Sequence, residues 1–409
     1  MIINNIAFYG AARLASGLLL YLTFVAALYG LDKQQYQYFS VSYPLYQILT
    51  VTCFGWIAAI IPSLVAGAQD EAQRRAESTL RSSYLSMCAV ALIVLLVMYI
   101  TGGIDVPWLT LIALAAMTTA SGASDSILAL ANAHGQHRHY LSISLARYGT
   151  TFVLVIILVL FRANAGGILA AIGAGAALSV GVWWKTRNRL AERTQLATIS
   201  EVVSLLRIGL PAMLAFAIYQ LSMSISRLII AQGCSPSAAT ALGGVNDFLS
   251  GPILLVFQVI NLALNPRLYG AANRGDQPAL RRAAIMIIVI QLAIIAPSTI
   301  LLFTVGRLIG DALLANKLGA SASQILPYVG LATLFSLVFN TSIGVALARK
   351  KATIMAVFGI CIVGATAALA VNRKCDILGF AQGFSALMAI SGLCGLALIY
   401  LLTRPTANS

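Results

Sequence analysis

Charge is what this sequence lacks most. Only 9% of its 409 residues are Asp, Glu, Lys or Arg, and just 12 are acidic. A soluble domain carries about 25%, so a water-covered surface of ordinary size cannot be built from this composition. Histidine is confined to one stretch, "HGQHRH" (134–139). It follows a helix end with no Cys or carboxylate close by, so a solvated loop is expected there and no metal site. The six cysteines form no CxxC pair. Cys53, Cys88, Cys361 and Cys394 fall within apolar runs and read as packing residues. Cys234 and Cys375 lie just outside helices, and the sequence leaves open whether they pair. No Walker, dinucleotide-binding or nucleophile-elbow pattern occurs in a plausible context, which leaves no handle for nucleotide or hydrolytic chemistry. No Lys or Arg precedes the first apolar run, so a cleavable signal is not expected.

Apolar residues are abundant, at 60% of the chain. They gather in runs of spanning length separated by Pro, Gly or charge clusters, which predicts an all-α polytopic membrane protein. Twelve spans are expected, at 6–31, 38–68, 83–101, 107–132, 147–162, 167–184, 208–232, 245–266, 283–305, 326–348, 353–371 and 380–402. The net charge of +14 would suggest nucleic acid in a soluble protein. Here it is a matter of topology. With both termini cytoplasmic, the inner loops and tail hold 18 Lys and Arg and the outer loops six, leaving Arg13 and Arg227 within helices. Excess positive charge on inner loops orients membrane proteins.

The longest non-apolar stretch, 185–207, divides the chain into an N-terminal lobe (1–184, six helices), a cytoplasmic linker (185–207) and a C-terminal lobe (208–409, six helices). "PSLVAGA" (62–68) and "PRLYGAA" (266–272) close the second helix of each half, 204 residues apart. "ALA" closes the fourth helix of each half, at 129–131 and 346–348. The matches keep their order and position, so a duplicated, pseudo-symmetric pair of six-helix lobes is expected.

Polar stripes mark the faces that refuse lipid. In the eighth span Asp247, Ser250, Leu254, Gln258, Asn261 and Asn265 share a narrow sector at about 100° per residue. Such a row faces a wet cavity or bonds neighbouring helices. Gln220, Met223, Ser224 and Arg227 share one face of the seventh span, and Arg13 shares a stripe with Tyr9, Ser16 and Thr23. Both arginines lie close enough to helix ends to snorkel or to serve a cavity. Asp125, beside Thr118, Ser121 and Asn132, reads either as an ion or proton site or as a partner for an arginine.

At this point "LLRIGLPAML", "SRLIIAQG", "NLALNPRLYG" and "FYGAARLASGLLLYL" together suggest a family. The chain resembles the Wzx-type polysaccharide flippases of the multidrug/oligosaccharidyl-lipid/polysaccharide exporter superfamily. It departs at "ATALGGVNDF" (239–248), where Gly244 stands in place of a frequent aromatic. The resemblance implies transport of polyprenyl-diphosphate-linked oligosaccharide repeat units across the inner membrane, for exopolysaccharide, O-antigen or capsule. It implies no enzymatic step and no cofactor, with coupling to a proton or sodium gradient left open. Arg13 and Arg227 would line a cationic cavity, with Gln220, Gln258, Asn261 and Asn265 binding sugar. Asp125 and Asp247 would be the ion-coupling candidates. The rivals are a drug/cation antiporter of the same fold and a membrane-embedded glycan polymerase or acyltransferase.

Overall fold

The structure is a computed structural model that describes residues 2–65, 70–102, 107–134, 136–162, 164–187, 198–349 and 351–404. Its elements are α1 (Ile2–Gly30), α2 (Lys33–Thr50), a π-helical turn (Val51–Gly55), α3 (Trp56–Val65), α4 (Asp70–Ile100), α5 (Trp108–Ala133), α6 (His137–Leu160), α7 (Ala165–Arg187) and α8 (Ile199–Gly233). There follow α9 (Pro236–Asn273), α10 (Gln277–Thr304), α11 (Gly306–Leu313), α12 (Ala315–Leu318), α13 (Ala320–Ala348), α14 (Ala352–Asn372) and α15 (Ile377–Thr403). Among the described residues eight helices are long and apolar enough to cross a membrane, or nine when the broken helix α8 counts as one. With α1, the α2–α3 pair and α9 they make up the expected twelve. Leu92, Ile93, Leu96, Val97 and Ile100 of α4 lie exposed, as do Val289, Ile300 and Leu301 of α10. Such faces suit lipid, not water.

Helix ends are fixed by short polar side chains that take up free backbone N–H groups. Asp32 accepts from the Gln35 amide at 2.7 Å, and Asp276 from that of Ala279 at 2.9 Å. Gly275, with φ +70°, closes the turn after α9 in the left-handed conformation that glycine adopts without strain.

Two compact units result, Leu22–Leu214 and Met1–Tyr21 together with Ala215–Ser409, so α1 and α8 each contribute to both. In the first unit α7 packs on α5 and α6. Gly173 allows this: a Cβ there would meet Met117 Cα at 3.1 Å. In the second unit α13 is central, packed on α15, α9 and α10. Gly395 plays the matching part, because a Cβ would meet Ser342 Oγ at 3.0 Å and Phe339 Cα at 3.4 Å. In both units, then, the sixth helix packs on the fourth through glycine, as expected of a duplicated half. Where lipid is as apolar as leucine, close approach of backbones supplies the attraction.

Several expected boundaries move. The span expected at 147–162 begins at His137, so His137 and His139 belong to the first turn of α6 and His134 caps α5. Arg147, expected in an inner loop, therefore lies within a span. The region expected as an outer loop, 306–325, is helical over α11, α12 and the start of α13. Helix α11 has three faces. Gly306 and Gly310 pack on α13, Arg307 and Asp311 are exposed on a second side, and Leu308, Ile309 and Leu313 are exposed on a third.

Candidate functional site

The second unit holds a closed polar network. Arg227 of α8 and Asp247 of α9 meet fork to fork, with Nη1 donating to Oδ1 at 3.2 Å and Nη2 to Oδ2 at 3.3 Å. Arg227 is 1% exposed and Asp247 6%. Asn246 donates to Asp247 Oδ1 at 3.3 Å. The Tyr219 hydroxyl donates to Asn246 Oδ1 at 2.8 Å and lies 2.6 Å from Thr333 Oγ1 on α13. Gly243 makes room, since a Cβ there would collide with the guanidinium of Arg227. At Gly244 a Cβ would already meet Leu318 Cδ1 at 2.5 Å. The guanidinium does not snorkel. It is neutralised in place by a bidentate partner, the geometry that arginine provides and lysine does not.

The first unit holds a second arginine–aspartate pair. Arg147 Nη1 of α6 donates to Asp125 Oδ1 of α5, and to Ser124 Oγ at 3.3 Å. Ser124 lies 2.7 Å from Ser179 Oγ on α7, and the guanidinium carbon stands 5.1 Å from the Tyr148 ring centroid. The Arg147 side chain is 8% exposed, but that of Asp125 is 41% exposed. Of the two readings open for Asp125, partner to an arginine is the one that this geometry shows.

The other expected site residues fall as follows. Gln220 is exposed on α8. The side chain of Arg13 on α1 lies outside the described residues, as do those of Gln258, Asn261 and Asn265 on α9. Among the described residues no group of three His, Cys, Asp or Glu side chains converges as metal ligands. Arg147 is the residue that sequence reasoning misplaced. Its signal was present, because Ser144, Arg147, Tyr148 and Thr151 recur at helical spacing ahead of the apolar run.

Comparison with known proteins settles the architecture. No family model and no curated protein matches the chain. Solved structures do. An inward-facing multidrug resistance MATE family transporter of the MOP superfamily aligns with a TM-score of 0.72 at 11% identity, over 97% of this chain and 100% of its own. A eukaryotic MATE transporter aligns at 0.68 and 15% identity, over 98% and 96%. The lipid II flippase MurJ, in an inward closed conformation, aligns at 0.68 and 13% identity, over 97% and 87%. The chain has the fold shared by MATE transporters and MurJ.

Proposed function

We propose that this protein moves polyprenyl-diphosphate-linked oligosaccharide repeat units across a bacterial inner membrane, with both termini cytoplasmic, by alternating access between its two lobes. One observation carries the reading: the fold shared with a lipid II flippase over 97% of the chain, in a sequence whose helix-one, helix-seven and helix-eight segments resemble polysaccharide flippases. The charged, hydrated headgroup has to be shielded in transit, which falls to arginine forks and polar stripes while the polyprenyl tail stays in lipid. Arg13, Gln220, Gln258, Asn261 and Asn265 are the proposed headgroup and sugar contacts. The pairing with Asp247 changes the part given to Arg227. In this conformation it holds α8 to α9, and it reaches a diphosphate only if Asp247 lets go. Asp125 is the better coupling candidate of the two aspartates, because its carboxylate is open.

A drug/cation antiporter is the second reading, favoured by the MATE neighbours and by the two membrane-embedded carboxylates. Deleting the gene separates the two. The flippase reading expects loss of surface polysaccharide and accumulation of lipid-linked repeat units on the inner leaflet, restored by the wild-type chain. Intact surface polysaccharide together with new sensitivity to cationic drugs would transfer the assignment to the antiporter.

A further inference from the structure

Cys234 and Cys375 are joined by a disulfide, with Cα atoms 5.3 Å apart and 141 residues between them in sequence. Each half-cystine stands one residue before a helix cap. Ser235 caps α9 by accepting from the Ala238 amide at 3.1 Å, and Asp376 caps α15 by accepting from the Gly379 amide at 2.9 Å. Arg373 ties the second turn further by donating to Asp376 at 3.1 Å. The two turns press together beside the bond: a Cβ on Gly233 would meet Lys374 Cδ at 2.7 Å. Both cysteines are exposed, whereas the other four lie within spans, Cys53 in the π-helical turn, Cys88 in α4, Cys361 in α14 and Cys394 in α15.

We propose that this bond is made outside the cytoplasm, and that it clasps the α8–α9 hairpin to the α14–α15 hairpin at their outer turns. Disulfides persist in oxidising compartments and are rare in the cytosol. Both turns fall on the outer side in the orientation given by the basic count, although Arg373 and Lys374 themselves run against that count. The oxidant is the disulfide of a thiol oxidoreductase. One cysteine thiolate attacks it to form a mixed disulfide, and the second thiolate displaces the oxidoreductase as a dithiol. Two S–H bonds are lost, one S–S bond forms in this chain, and the oxidoreductase carries away the electron pair. The result joins helices far apart in sequence, so the outer ends of the two hairpins move together in any conformational change. Closing so long a loop constrains the unfolded chain strongly.

Thiol counting tests the first part. The whole protein, denatured without reductant and treated with a polyethylene-glycol maleimide, should take four labels, and six after reduction, following its two bonded and four free cysteines. Protein made in cells lacking the dithiol oxidase should take six at once. With the four span cysteines replaced by serine, an impermeant maleimide should label reduced intact cells. Six labels before reduction, or labelling confined to inverted vesicles, would overturn the assignment. For the clasp, Cys234→Ser and Cys375→Ser should each lower the melting temperature in detergent by several degrees, and the double variant by no more than either. An unchanged melting temperature, or additive losses, would remove the clasp. None of these readouts involves transport: loss of the bond or of the clasp leaves the proposed transport standing, whereas labelling confined to inverted vesicles would overturn the proposed orientation of the termini.

Discussion

Among the described residues two arginine–aspartate pairs join neighbouring spans, and they are built differently. Arg227 and Asp247 use both arms of the fork and are shut away from solvent. Arg147 gives one nitrogen to Asp125, shares it with Ser124, and leaves the carboxylate 41% exposed. The same two residue types therefore do two jobs. The closed pair is a neutral peg between helices, because neither charge can be reached without separating them. The open pair leaves its carboxylate partly uncovered. Sequence arguments treat all four residues alike, as ionisable groups in a membrane. Burial is what separates anchor from candidate switch.

The largest effect should come from breaking the closed pair. Asp247→Ala strands a buried guanidinium, at a cost of about 3–5 kcal/mol, whereas replacing both partners by apolar residues of similar volume is often nearly neutral. Membrane abundance and melting temperature should therefore fall sharply for Asp247→Ala and recover in the Arg227→Met/Asp247→Leu double variant. Ready tolerance of the single change would mean that Arg227 reaches water or a ligand, and the contrast between the pairs would disappear. Tyr219→Phe should cost on the order of 1 kcal/mol, the usual net worth of a hydrogen bond, seen as a small drop in melting temperature. A smaller loss than for Asp247→Ala is expected for Asp125→Asn, because the amide oxygen can still accept from the buried Arg147. Its effect should appear instead in transport, as altered dependence on the proton or sodium gradient. A variant with unaltered gradient dependence would reduce Asp125 to an anchor for Arg147.

Where the spans lie was legible because an apolar run of about 20 residues has few other uses. Their ends were not, for a physical reason: hydropathy stops where lipid stops, and a helix does not. Polar first turns extend α6 back to His137 and α9 back to Pro236, past the ends that composition suggests. Arg147 was assigned to a loop by that error. The residues of the closed pair were each noticed on polar faces, yet they were sorted into different roles, Arg227 to binding and Asp247 to coupling. Nothing in a helical stripe says which neighbouring helix it will meet. The glycine contacts that permit the meeting, at Gly243 for Arg227 and at Gly173 between α7 and α5, become intelligible only once the helices are placed.

The π-helical turn between α2 and α3 has a consequence for the second span as a whole. A π turn takes in about one residue more than an α turn, so the helix emerges from it rotated by roughly the arc of a single residue, about 100°. The buried side chains before it, Tyr43, Tyr46 and Leu49, and those after it, Trp56, Ile57 and Ile60, are thereby pointed to different sides. One continuous rod thus addresses two sets of neighbours, α5 and α7 before the turn and α5 and α4 after it. At the turn itself Phe54 sits on the bare backbone of Gly122, its ring centroid 5.4 Å from that of Tyr84. The surplus residue therefore works as a phase shifter, and the length of this helix matters to its packing as much as its composition does.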